Sequence, residues 1–178
     1  MSLRSIITIG VIAIVLIVGG LLLYPSSSST SSGGAKVGGP VPAFSLKTLS
    51  GTGTVAVPQD GGANGTPAIL LFFAAWCTQC QEEMPTLAPA LSDPANLGGA
   101  VVLGIDALDQ KAAAVDFVAK YHLAFPVGFD AVGAVTNGTF GFPALPEVVF
   151  VNGKGIITDI HYGATTPADL AKGVATFK

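Results

Sequence analysis

Cys77 and Cys80 are the only cysteines in a chain of 178 residues, and two residues separate them. A thiolate is the nucleophile of disulfide exchange, and two thiols at this spacing can close on each other. Two other readings of the pair are weaker. A zinc site needs four ligands. The only histidines are His122 and His161, and there is no second cysteine pair. A purely structural bridge across so small a loop would contribute little by constraining the unfolded chain.

The elements around the pair decide what it can do. Ala68 to Ala75 is a continuous apolar run, which fits a strand covered on both faces. Gln81 to Leu87 has helical character. A buried strand that ends in C-x-x-C and feeds a helix is a thiol–disulfide site. It sets Cys77 at a helix N-terminus, where unpaired N–H groups and the positive end of the dipole favour a thiolate. Cys77 is therefore expected to attack. Cys80, one turn into the helix, is expected to resolve the mixed disulfide.

The chain carries a net charge of −3, with half its residues hydrophobic and 11 % charged, so nothing suggests nucleic acid. Three regions are expected. Residues 1–25 read as an uncleaved signal anchor. Ile6 to Tyr24 is apolar for nearly the length of a bilayer crossing, Arg4 precedes it, and no A-x-A cleavage pattern follows. Residues 26–40 are rich in Ser, Thr and Gly and read as a tether, with a reach of roughly 20 Å. Residues 41–178 form the folded domain. That domain would lie on the extracytoplasmic side of the cell membrane, where disulfide chemistry is permitted.

Within the domain, Val41 to Gly51 alternates and then turns, and Val55 to Val57 follows as a second strand. Asp60 to Thr66 is a Gly-rich loop without a phosphate-binding pattern. Ala100 to Asp106 is another buried strand. Asp109 to Tyr121 is an amphipathic helix, and a short helix spans Ala131 to Val135. Val148 to Val151 and Gly155 to His161 form a hairpin around Asn152-Gly153. Thr166 caps the last helix, with Pro167 at its first position. Pro85 is expected to kink the helix after the cysteines. His122 and His161 read as structural.

Phe72 to Cys80 with Glu83-Met84-Pro85 resembles the thioredoxin superfamily, in its TlpA-like branch, which includes the ResA and CcmG/DsbE proteins of cytochrome c maturation. Phe140 to Gly153 is a second match, and the likeness covers roughly residues 40 to 175. It implies an α/β, thioredoxin-like three-layer sandwich behind the N-terminal transmembrane helix, with about five strands and helices on both faces. It makes Pro146 the cis proline that faces the cysteines and Leu145 a backbone site for a substrate peptide. Thr78 and Gln79 would also meet the substrate, with Trp76 in support. Thioredoxin's buried aspartate is replaced by Leu71, so Glu83 is either the substitute proton acceptor or an exposed helix charge. Glu82 reads as solvated.

The implied activity is protein disulfide reduction without a bound cofactor. The partners are an exported disulfide-containing protein, such as an apocytochrome c, and a membrane electron donor. Two alternatives stay open. One is a thiol peroxidase, although Leu70 to Cys77 lacks the P-x-x-x-[TS]-x-x-C pattern. The other is a non-enzymatic thiol chaperone or metal carrier.

Overall fold

The structure, a computed structural model, describes residues 34–178. The expected anchor over 1–25 and most of the expected tether lie outside the described residues. Among those described, no helix is long and apolar enough to cross a membrane.

Among the described residues, twelve elements follow one another. β1 (Phe44–Lys47) and β2 (Thr54–Val57) pair as an antiparallel hairpin. Then come β3 (Ala68–Phe73), α1 (Thr78–Ser92), a 3₁₀ turn (Pro94–Asn96), β4 (Val101–Ala107) and α2 (Lys111–Lys120). β5 (Val127–Asp130), a π-helical segment (Ala134–Phe140), β6 (Glu147–Val151), β7 (Ile157–Tyr162) and α3 (Pro167–Val174) complete the domain.

The main sheet has the order β5-β4-β3-β6-β7. β3, β4 and β5 are parallel, while β6 runs antiparallel to both β3 and β7. β3 is central and wholly buried, as its unbroken apolar run requires. Its alternate residues feed two cores. Ile69, Leu71 and Phe73 pack with Met84, Leu87 and Leu91 of α1, Phe117 of α2 and Leu170 of α3. Ala68, Leu70 and Phe72 pack with Phe44, Val55 and Val57 of the hairpin and with Val135, Phe140 and Phe142. The three layers are thus uneven. The three α-helices among the described residues contribute to one face, and the hairpin with the π-helical segment covers the other.

Several boundaries differ from expectation, each for a physical reason. Residues 35–40 do not belong to a free tether. Ala35 donates to Phe140, Gly38 donates to Ile157, and Ile157 donates back to Gly39. Backbone pairing holds this stretch where its composition gives no apolar face. Helix α2 starts at Lys111, not Asp109, because the Asp109 carboxylate is used elsewhere. The short helix expected at Ala131 to Val135 forms later. Asp130 Oδ2 accepts from the Val135 and Thr136 amides and the Thr136 hydroxyl, which fixes where the segment begins. Glycines at φ 69 (Gly133) and φ 75 (Gly141) bound it. Helix α1 runs as a single element of 15 residues through Pro85 and Pro89. The Thr166–Asp169 capping box forms as the sequence indicates.

Candidate active site

The turn from β3 into α1 carries the two cysteines. Cys77 is the N-cap of α1, in extended backbone. Its sulfur accepts from the Cys80 amide at 3.1 Å, one of the donors a helix start leaves unpaired. The two residues form a disulfide, with Cα atoms 5.2 Å apart. Cys77 keeps 5 % of its surface and Cys80 none. Thr78 and Gln79 between them are exposed.

Bonds from the following loop fix this turn. The Ala75 amide donates to Asp109 Oδ2 at 2.5 Å. The indole N–H of Trp76 donates to the Leu108 carbonyl at 3.0 Å, leaving the ring 57 % exposed. Leu108 itself has φ 56, a conformation that costs a leucine about 1 kcal/mol or more. Its side chain is exposed beside Gly133, and Val132 is exposed next to that. Trp76, Leu108 and Val132 thus form an apolar rim that sequence reasoning assigned only as far as Trp76.

On the other side stand Leu145 and Pro146, joined by a cis peptide bond. Leu145 packs against both cores. Among the described residues, neither its N–H nor its carbonyl has a backbone partner. The Pro146 carbonyl accepts from Gly163 at 2.9 Å. A side chain on Gly163 would lie 4.0 Å from Gln79 Oε1, so β7's end adjoins the cysteine turn. Tyr162, exposed there, adds a second apolar edge.

Three buried carboxyls raised above their ordinary range lie on α1, β6 and β4, the elements around the cysteine turn. Glu83 lies inside α1 and is buried, not an exposed helix charge. Its Oε2 accepts from the Thr165 amide at 2.6 Å, and its Oε1 has no partner among the described residues. Burial pushes its carboxyl up to about 7, against the opposing pull of the Thr165 bond. Glu147, next to Pro146, is buried with Oε2 unpartnered among the described residues, and burial raises it to about 7 as well. Asp106 is fully enclosed on β4. Glu82 is exposed, and Leu71 is buried in the helix-covered core.

Sequence reasoning did not single out Glu147 or Asp106 as site residues. The signal was present: an acid inside an apolar run that reads as a doubly covered strand has to be a buried acid. His122 sits at φ 52 just past α2, and His161 Nε2 lies 3.0 Å from the Ala164 carbonyl.

A buried disulfide at a helix start, next to an exposed apolar rim and titratable carboxyls, can exchange with another disulfide. Known proteins agree with that chemistry. Residues 37–160 match the AhpC/TSA family. The chain is 32 % identical over 138 residues to "Thioredoxin-like protein YneN" of Bacillus subtilis, covering 77 % of this chain and 78 % of that one. It is 30 % identical over 127 residues to "Thiol:disulfide interchange protein DsbE" of Pseudomonas fluorescens, covering 71 % and 67 %. Among solved structures, MTB dsbF in mixed oxidized and reduced forms superposes with a TM-score of 0.63 at 29 % identity, covering 76 % of this chain and 95 % of that one. This chain belongs to the AhpC/TSA family and, within it, is a thioredoxin-like thiol–disulfide oxidoreductase.

Proposed function

We propose that this oxidoreductase works as a protein-disulfide reductase outside the cytoplasm, held there by residues 1–25 and a tether that ends near Gly34. The likeness to the TlpA-like branch favours the direction, and the observation that carries the mechanism is Glu83, a buried acid on the helix of Cys80 that can hold a proton near neutral pH. The Cys77 thiolate attacks one sulfur of a partner disulfide. One S–S bond forms and one breaks, and the partner leaves its first thiolate. Cys80 gives its proton to the Glu83 carboxylate and attacks Cys77. The Cys77–Cys80 bond closes, the partner's second thiolate departs, and two electrons have passed to the partner. A membrane thiol donor then restores the dithiol.

Thr78, Gln79, Leu145 and Pro146 hold the partner, with Trp76 beside them. The unused backbone groups of Leu145 suit an extended peptide added as a short strand. Relatives named for disulfide interchange, and the likeness to the cytochrome c maturation branch, favour an exported protein such as apocytochrome c as that partner.

The test is the reduction potential of the Cys77–Cys80 couple, measured against glutathione in the full chain. A value near thioredoxin's, about −270 mV, fits a reductase. A value near that of strong oxidants, about −120 mV, would reverse the direction.

A further inference from the structure

Asp106 occupies the register position beside Phe73 and is completely enclosed. On the same strand, Val102 belongs to the helix-covered core, while Leu103 and Ile105 belong to the opposite one. The two-residue period of a strand therefore turns Asp106 toward the helices. Among the described residues, neither of its oxygens receives an N–H or O–H donor. An ionised carboxyl in that position would lose its hydration and gain nothing in return.

Its polar partner is another carboxyl, Asp109. A hydrogen bond between two carboxyls needs a proton on one of them. Asp109 already accepts on both oxygens, from the Ala75 amide at 2.5 Å and the Gln110 amide at 2.7 Å. Each carboxylate oxygen has two lone pairs, so Asp109 can accept a third donor. Asp106, with no donor of its own, is the one that keeps the proton.

We propose that Asp106 is a positioning residue for the Cys77 turn: its carboxyl O–H donates to Asp109, and that bond holds Asp109 on the Ala75 amide. The charges that bear on Asp106 are those of Asp109, from the loop after β4, and Asp130, at the end of β5. Both are negative, and no cation among the described residues offsets them. Burial first, then the charge and hydrogen bond of Asp109, then the charge of Asp130, raise the Asp106 carboxyl to about 8. Above that pH two like charges face each other, and the brace on Ala75 loosens. Trp76, the only tryptophan, is bonded to Leu108 next to Asp109 and reports the change.

The experiment uses the full chain in detergent with its disulfide closed, so that no thiol titrates. Trp76 emission is followed from about pH 6 to about pH 10, a range that spans the expected transition. Wild type shows a one-proton step near pH 8. Asp106→Asn removes the step, because a carboxamide donates to Asp109 at every pH. Asp109→Asn removes a charge and moves the step down by about one pH unit or more. Glu83→Gln and Glu147→Gln keep it. A step unchanged in Asp106→Asn, an unshifted step in Asp109→Asn, or no step in wild type overturns the proposal. If Asp106→Asn does not fold, carbon-13 NMR of the wild-type carboxyls decides. A joint response of Asp106 and Asp109 near pH 8 supports the brace, and an Asp106 midpoint below about 6 ends it.

Discussion

The Tyr121 hydroxyl donates to the Gln81 carbonyl at 3.1 Å, replacing the helical donor that Pro85 cannot supply. The proline removes an N–H four residues on, and a tyrosine at the end of α2 takes its place. Helix α1 therefore passes its proline with that carbonyl satisfied. Tyr121→Phe should lower stability by about 0.5–1.5 kcal/mol in chemical denaturation. In a Pro85→Ala background, where the substituted alanine offers its own N–H, the same change should cost less. Equal costs in the two backgrounds would show that the hydroxyl does not stand in for the missing donor.

The proposed base at Glu83 has a kinetic signature. Its carboxyl is raised to about 7, so the carboxylate form grows as pH rises through neutrality. Wild-type oxidation by a model disulfide, followed through Trp76 in stopped flow, should accelerate with a midpoint near 7. Glu83→Gln should lose that midpoint and fall by about 10²-fold or more. Matching rates and pH profiles in the two proteins would reduce Glu83 to a support for the Thr165 amide.

Stability should also depend on pH, with a definite sign. Glu83 and Glu147 are raised to about 7 and Asp106 to about 8, all above their unfolded values near 4. Between those limits the folded chain holds protons that the unfolded chain has released. Stability therefore falls as pH rises from about 4 to about 8, then levels. Glu147→Gln should be neutral near pH 4 and should stabilise by on the order of 2 kcal/mol near pH 8. Urea midpoints at the two pH values measure it, and identical wild-type midpoints would contradict the assignment.

Gly173 on α3 touches the Phe150 ring so closely that an added Cβ would sit 2.2 Å from a ring carbon. Gly173→Ala improves helix propensity by up to about 1 kcal/mol, yet forces the ring aside. The clash should win, with a net loss of about 1–3 kcal/mol and a lower melting temperature. A stabilised variant would mean that the Phe150 ring has room to move.

Where one physical signal dominates, the sequence carried it to the structure. The apolar run of β3, the C-x-x-C turn and the Thr166 cap each rest on local chemistry. What was missed depends on contacts far apart along the chain. Asp109 looks like a helix residue until its carboxylate is needed 34 positions away at Ala75. The π-helical segment follows from three donors converging on Asp130, which no periodicity encodes. Residues 35–40 carry no hydrophobic pattern, because backbone bonds to Phe140 and Ile157 hold them. Asp106 stood in plain view within an apolar strand, but its partner lies beyond the strand's end.

The bonds around the cysteines are distributed unequally. Ala75, Trp76 and Gln81 are each hydrogen-bonded to the stretch from Leu108 to Tyr121. Among the described residues, no hydrogen bond joins the turn to Leu145 or Tyr162, and the bond that crosses there, from Thr165 to Glu83, lies further along α1. One flank is a wall and the other a door. A partner held along Leu145, as proposed above, would break no hydrogen bond of the cysteine turn. The bonds to Leu108, Asp109 and Tyr121 would then hold the turn while the proposed partner is bound.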